Sequence, residues 1–344
     1  MSIPVEQYVE AGIWTMQSTR ETCVVPERPL MITESEERAL GGLALSAWNA
    51  LENIVAMVNE NPQEPWRQLG RKASVFAEGA TMPPAVRIDV VRTNTGPKII
   101  EVDPTSAISL GETISLIDIW QEQGYAVPDG LLEEVARVSS GKLGIAIPRE
   151  KQAYVDELSY LERRLAENGV QVNGDAERQL SAFSDVPSIA RALNRDGWNR
   201  SVNPLWGSLN ELSFKDNLAL LQCGDKINYP QYLPQLLDEA TLAEMDPQAM
   251  VVAKPRKGTG SMGVKAVRIA DIVSLPEGMM FQEKLTPLVD DFGLDQPYVS
   301  RVSVYAGAKG LLGAQVTARP FLANAPFTNV HGQADAVQTT IAIR

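Results

Sequence analysis

The sequence predicts a mixed α/β (α+β) fold, and three features point to it. A stretch near the N-terminus keeps apolar residues at helical spacing, the middle reads as a βαβ unit, and the last third holds β-branched strands separated by glycines. With 344 residues, the chain has room for about two or three domains of ordinary size. The expected division is a helical region with a strand pair over 1–140, a small open α/β layer over 141–235, and a glycine-rich hairpin with the remaining strands over 236–344.

Thr33-Glu34-Ser35-Glu36 reads as a capping box, with Glu36 placed to reach back to the Thr33 amide. The run through Leu40, Leu43, Ala47, Leu51, Ile54 and Val55 then continues a helix until Asn61-Pro62. Two alternating strands follow. Val86, Ile88 and Val90 fall on one face of the first, with Arg87 and Asp89 on the other. After the turn residues Thr93 to Gly96, Ile100 and Val102 are expected to face inward, which leaves Glu101 and Asp103 outward. A hairpin would therefore gather three carboxylates and one guanidinium on one surface. Leu143 to Ile147 reads as a short strand, Glu150 to Asn168 as a helix capped by Gly169, and Val170-Gln171-Val172 as the start of the next strand.

Composition excludes several classes. Lys+Arg number 31 against Asp+Glu 43, a net charge of −12, which is the wrong sign for a phosphate-backbone footprint and predicts no nucleic-acid partner. Hydrophobic residues at 44% with charged residues at 22% support a packed core. No apolar run reaches the roughly 18 residues of a membrane span, and the first residues lack the pattern of a signal peptide. A soluble, cytoplasmic protein without a membrane partner is expected. Cys23 and Cys223 are too few for a disulfide framework and read as small buried hydrophobes. The single histidine, His331, leaves no His-rich metal site and reads as structural.

Met250 to Pro255 looks like a strand entering Arg256-Lys257-Gly258-Thr259-Gly260-Ser261-Met262-Gly263. Gly258, Gly260 and Gly263 spell G-x-G-x-x-G, but Val264 to Ile269 reads as a strand where a dinucleotide fold needs a helix. Asp291-Phe292-Gly293 spells the kinase triplet, yet the sole histidine lies after it, so no H-R-D loop precedes it. A strand–loop–strand hairpin carrying Lys254 and Lys257 remains. Its glycines let backbone amides approach phosphate oxygens, and its lysines can neutralise them. The plain alternative is a solvated surface hairpin. Further on, Met280 to Leu285 forms a strand with a polar centre, and Val299–Tyr305 pairs with Gly313–Arg319 through a glycine turn, with Arg301 and Arg319 on polar faces.

Taken in order, these pieces resemble the ATP-grasp superfamily. The segment VVAKPRKGTGSMGVKAV looks like its nucleotide-covering loop, MFQEKL like its hinge strand, RVSVYAGAKGLLGAQVTARPF with NVHGQ like its arginine-bearing strands, and LSFKDNLALL like the segment holding another ATP lysine. The metal-binding strand usually comes after these elements. Here its best match, Glu101-Val102-Asp103, comes before them, an order that resembles the circularly permuted glutathionylspermidine synthase-like carboxylate–amine ligases.

The resemblance covers residues 80–340 or so and implies ATP and Mg2+ as cofactors. Lys215 and Lys254 would contact adenine-side and α/β-phosphate groups, Lys257, Gly258, Gly260, Ser261 and Gly263 would close over the phosphates, and Gln282 and Glu283 would meet the adenine and the ribose. Asp89, Glu101 and Asp103 would hold magnesium, and Arg301 and Arg319 would steady the transferring phosphate. Asp103 stands where the family prefers Asn, and Ser300 where an acidic residue often precedes the arginine. Without a glycine loop, the carboxylates and arginines would read as ordinary solvated faces.

The implied reaction is ADP-forming: a substrate carboxylate becomes an acyl phosphate and an amine displaces the phosphate. Small-molecule carboxylate and amine substrates are the expected partners. A kinase acting on a hydroxyl and a non-catalytic nucleotide-binding protein are the rival readings. Arg87, Arg149 and Arg256 are each candidates to receive a substrate carboxylate. If the chain assembles, a homodimer is the expected state, as the commonest symmetric oligomer.

Overall fold

The computed structural model describes residues 24–64, 67, 82–83, 85–103, 109–139, 142–146, 155–174, 188–190, 237, 239–255, 263–274, 278–321 and 336–344. Its centre is a five-stranded antiparallel sheet assembled from both halves of the chain. Strands β2 (Val86–Thr93) and β3 (Gly96–Asp103) come from the first third; β10 (Tyr298–Gly307), β11 (Gly310–Pro320) and β12 (Val337–Thr339) come from the last. The order across the sheet is β12-β11-β10-β2-β3, so β10 and β2 join the two halves.

One face of this sheet is apolar. Val86, Ile88, Val90, Val302, Val304, Val316, Ala318 and Val337 form a buried cluster with Leu40, Leu43, Ala47, Leu51, Ile54 and Val58 of helix α1 (Glu34–Glu60). The expected capping box opens α1: the Glu36 amide donates to Thr33 Oγ1 at 3.2 Å, and the Thr33 amide donates to Glu36 Oε2 at 2.9 Å. Glu36 also pairs with the Arg92 guanidinium. Arg92 reaches Asp290 at 2.5 Å, and Asp290 accepts from Ser300, so helix start, β2 and β10 are tied together.

The hairpin β2–β3 forms in the expected place, with one correction. The register shifts between Asp89 and Val90: Asp89 faces Glu101, but Val90 faces Ile99. Ile100 is the extra residue of a β-bulge, so Ile99 and Val102, not Ile100, bury in the core. Simple alternation fails here because one inserted residue inverts the phase of everything before it in the strand.

The opposite face is divided. Tyr305 and Leu312, near the β10–β11 turn, pack against helices α2 (Leu110–Glu122) and α3 (Gly130–Val138) and residues of α4 (Val155–Glu167). Gly313 permits this approach, since a Cβ there would meet Ile117 Cδ1 at 3.0 Å. The rest of that face is mainly polar, with Val299 beside Arg319 as an apolar member.

The expected parallel unit follows: β4 (Lys142–Ala146), α4, then β5 (Gln171–Gly174) and β6 (Ser188–Ala190), both parallel to β4. Gly169 (φ +77) ends α4, with the Gly169 amide on the Ala166 carbonyl and the Val170 amide on that of Leu165, a Schellman arrangement. A third sheet, order β8-β7-β9, combines β7 (Met250–Pro255), β8 (Lys265–Arg268) and β9 (Met279–Glu283), all antiparallel. It packs Val251, Val267 and Phe281 against Leu237 and Leu242, the latter in α5 (Glu239–Glu244). Near the chain ends, β1 (Leu30–Ile32) pairs in parallel with β13 (Ile341–Ile343). Among the described residues, no helix is long and apolar enough to cross a membrane.

Two outcomes follow from this packing. A Cβ on Gly111 would lie 1.9 Å from the Glu157 backbone oxygen, so Gly111→Ala should destabilise the protein by about 1–3 kcal/mol in denaturant melts. For Glu36, burial pushes the carboxyl up, but the Arg92 guanidinium and the Thr33 groups outweigh it and hold it below its ordinary 4.5. Its contribution is then present above that value and lost as pH falls through the lower folded one. Glu36→Gln keeps the cap but loses the charge pairing, and should cost on the order of 0.5 kcal/mol at neutral pH. The gap to the parent should close in acid; a gap constant from neutral pH into acid would refute the pairing.

Candidate functional site

Strand register arranges the polar face of the main sheet in ranks. Gly313, Tyr305, Arg87 and Asp103 lie across β11, β10, β2 and β3 in one rank; Gln315, Ser303, Asp89 and Glu101 lie in the next. Beyond them Arg301, Thr317 and Gln338 cross β10, β11 and β12, and Arg319 follows one step along β11. Residues opposite one another on adjacent strands sit about 5 Å apart at Cβ. The sheet therefore brings Asp89, Glu101, Asp103, Arg301 and Arg319 onto one surface, although they are distant in sequence.

This surface is not a solvated one. Asp89 is only 1% exposed and Arg319 5%. The Asp89 carboxylate accepts a hydrogen bond from Ser303 Oγ at 2.8 Å and lies 3.2 Å from Arg301 Nη1 and 3.1 Å from Arg87 Nε. Arg87 also stands 3.7 Å from Asp103. Burial works against the Arg87 charge, but Asp89, then Asp103, Tyr305 and Glu101, hold its pKa above the ordinary arginine value, so it stays ionised. Burial lowers that of Arg319, and burial pushes the Tyr305 phenol up, against the nearby Arg87 and Thr113. Ion pairs this deep are sustained only when desolvation is offset by close opposite charges and hydrogen bonds.

The bulge at Ile100 has a second effect: its carbonyl accepts a hydrogen bond from Lys254 Nζ at 3.0 Å. That contact fastens the third sheet to the carboxylate-bearing strand. Lys254 is opposite Met280, and Gln282 is opposite Val252, so strand alternation sets Lys254 and Gln282 on the same face. Gln282 is 2% exposed, and its Nε2 has no hydrogen-bond partner. Glu283 is exposed and falls on the other face, opposite Val251, so the two expected adenine-side residues do not project together. Gly263 (φ +76) closes the base of the glycine loop, where a Cβ would meet Pro255 Cγ at 2.7 Å. The strand after the loop, β8, rules against the dinucleotide pattern as expected. Lys215, Lys257, Gly258, Gly260, Ser261, Arg149, Arg256, Cys23, Cys223 and His331 lie outside the described residues.

Asp89, Glu101 and Asp103 share the face but do not close on one point: among the described residues, no three His, Cys, Asp or Glu side chains form a group that could hold a metal ion. Asp89 is engaged by two guanidiniums instead. Arg87, a candidate receiver of a substrate carboxylate, is engaged by Asp89 and Asp103. The D-F-G triplet serves the core: Phe292 stacks edge-on to Tyr298 with ring centroids 5.6 Å apart, and Asp291 pairs with Arg28. Sequence reasoning passed over Ser303, Thr317 and Gln338. The signal in β11 was its repeated polar spacing, Gln315, Thr317 and Arg319 at every second residue.

Removing the Asp89 carboxylate leaves Arg301 and Arg87 short of a buried counter-charge. Asp89→Ala should cost about 3–5 kcal/mol in denaturant unfolding, and a loss below about 1 kcal/mol, the scale of exposed pairs, would mean the face is open to water.

Comparison with known proteins bears on this architecture alone. No protein-family model and no curated protein matches the chain. Among solved structures, a glutathione synthetase-like effector from Globodera pallida, in its apo form, aligns over 99% of this chain and 97% of its own with a TM-score of 0.54 at 10% identity. A putative gamma-glutamylcysteine synthetase from Methylobacillus flagellatus aligns over 85% and 87% with a TM-score of 0.43 at 12% identity. The chain thus has a mixed α/β fold similar, over nearly its whole length, to that of the glutathione synthetase-like effector.

Proposed function

We propose that the protein is an ATP-dependent carboxylate–amine ligase of circularly permuted ATP-grasp type. One feature carries this reading: a buried sheet face that combines Asp89, Glu101, Asp103, Arg301 and Arg319 and is tethered by Lys254 to a second sheet bearing a glycine-rich hairpin. The fold likeness to a protein described as glutathione synthetase-like supports it.

The residues suit a nucleotide. Gln282 offers a buried amide N–H without a partner, and Lys254, which donates to the Ile100 carbonyl, brings an ammonium charge on the same face. For the metal the fit is narrower than the sequence implied. With Asp89 neutralised by arginines, Glu101 and Asp103 are the residues that would hold magnesium, which commonly takes one or two carboxylates alongside substrate phosphates. When bound, the metal would supply charge neutralisation on those phosphates. Arg301 and Arg319 would neutralise the phosphoryl group passing to the substrate carboxylate, and Lys254 and the glycine hairpin would position the nucleotide. Such transfer is mostly positioning and electrostatics and needs neither histidine nor cysteine. A non-catalytic nucleotide-binding role is the second reading, favoured by the missing three-carboxylate cluster among the described residues.

Thermal unfolding with a non-hydrolysable ATP analogue, with and without magnesium, tests nucleotide binding. Ligand at 100 times its dissociation constant adds about 2.7 kcal/mol of stability. The midpoint should rise with analogue and rise further with magnesium. Lys254→Met and Gln282→Leu should weaken the first effect and Asp103→Ala the second. No shift at millimolar analogue would sink the nucleotide reading, and binding without any ADP release from ATP would favour the non-catalytic one.

A further inference from the structure

The rank Arg301–Thr317–Gln338 extends the charged face beyond the groups assigned above. Thr317 is 2% exposed and its Oγ1 has no hydrogen-bond partner; Gln338 is 9% exposed and its Oε1 has none. They are direct cross-strand partners on β11 and β12, and Thr317 is in turn the partner of Arg301 on β10. A buried polar atom left unsatisfied destabilises a fold, and folded proteins rarely tolerate it without a use. Two such atoms, side by side and next to a guanidinium, mark a place where a ligand completes the hydrogen bonding.

The chemistry of the rank selects the ligand. Both unsatisfied atoms can accept a hydrogen bond, and both are uncharged. Arg301 and Arg319 stand beside them, and neighbouring positive charge disfavours an ammonium and favours the free amine. A carboxylate acceptor would do the reverse and hold the nitrogen protonated. Neutral acceptors flanked by guanidiniums therefore suit an N–H group that must keep its lone pair, which is what a nucleophilic amine requires.

We propose that Thr317 and Gln338 form the subsite for the amine co-substrate, accepting its N–H groups and presenting the nitrogen to the acyl group held beside Arg301 and Arg319. This rests on the ligase reading above. It assigns β12, the short strand at the sheet edge, to acceptor choice, places the acyl group next to it along β10 and β11, and leaves the nucleotide and magnesium to the β3 side of the sheet.

The test uses the full chain with ATP, magnesium, a panel of the standard amino acids as carboxylates, and hydroxylamine as the amine probe, read as hydroxamate and ADP. In Thr317→Val and Gln338→Leu the KM for hydroxylamine should rise about tenfold, the loss of one hydrogen bond in binding. The KM for ATP and for the carboxylate should not move, and the melting temperature should hold or rise, because a buried unsatisfied atom has been removed. Thr317→Ser keeps the hydroxyl and should keep the parental amine KM. An unchanged amine KM in both apolar variants, a joint rise of all three KM values, or a lowered melting temperature would overturn the assignment while leaving the ligase reading standing. Absence of both hydroxamate and ADP from the parental protein would overturn the ligase reading and this assignment with it.

Discussion

Pairing of β10 with β2 is the constraint on which the rest of the structure depends. It joins strands more than 200 positions apart and fixes, in one register, which side chains enter the core beneath α1 and which build the charged face. A slip of β2 by one residue against β10 would send Asp89 into the apolar cluster and Val90 out of it. Both sides of the sheet resist such a slip. Valine and isoleucine bury against α1 on one side, and on the other the Asp89 carboxylate meets Ser303 and Arg301 of β10 only in this alignment.

The charged face shows how polar chemistry is kept inside a small α/β protein. Hydrophobic contacts of Tyr305 and Leu312 with α2 and α3 seal one end of it, and although Asp89 and Glu101 face each other across β2 and β3, Arg87 and Arg301 from the neighbouring ranks meet the Asp89 charge. This also explains why the three carboxylates do not act as one cluster. Arg87 sits between Asp89 and Asp103 in the register and takes part of both. The bulge at Ile100 adds the link to the third sheet, since the displaced carbonyl is the one Lys254 reaches. The irregular residue of one strand thus provides the contact that ties β7 to β3.

Much of the fold was legible in the chain itself: the capping box of α1, the alternation of β2, β10 and β11, the Gly169 cap and the parallel unit after it, and the strand following the glycine loop. Each is a short-range pattern whose cause lies within a few residues, in hydrogen bonds to the chain's own backbone or in the two-residue repeat of a strand. Alternation also placed Asp89, Arg301 and Arg319 on polar faces. What it left open was whether those faces met water, and it misplaced Ile100, since nothing in Lys98 to Asp103 marks which residue is doubled in a bulge.

Sequence alone supplied the candidate residues for chemistry: a net charge of −12, one histidine and two cysteines put carboxylates, lysines and arginines foremost among the charged groups. Only the tertiary structure decided that Asp89 is buried and shared between two arginines, that Glu283 turns away from Gln282, and that Thr317 and Gln338 stand unsatisfied beside Arg301. The physical reason is the reach of the interactions. Periodicity and capping act over one turn or one hairpin, whereas burial, ion pairing and hydrogen-bond satisfaction are properties of neighbours that the chain brings together from distant positions.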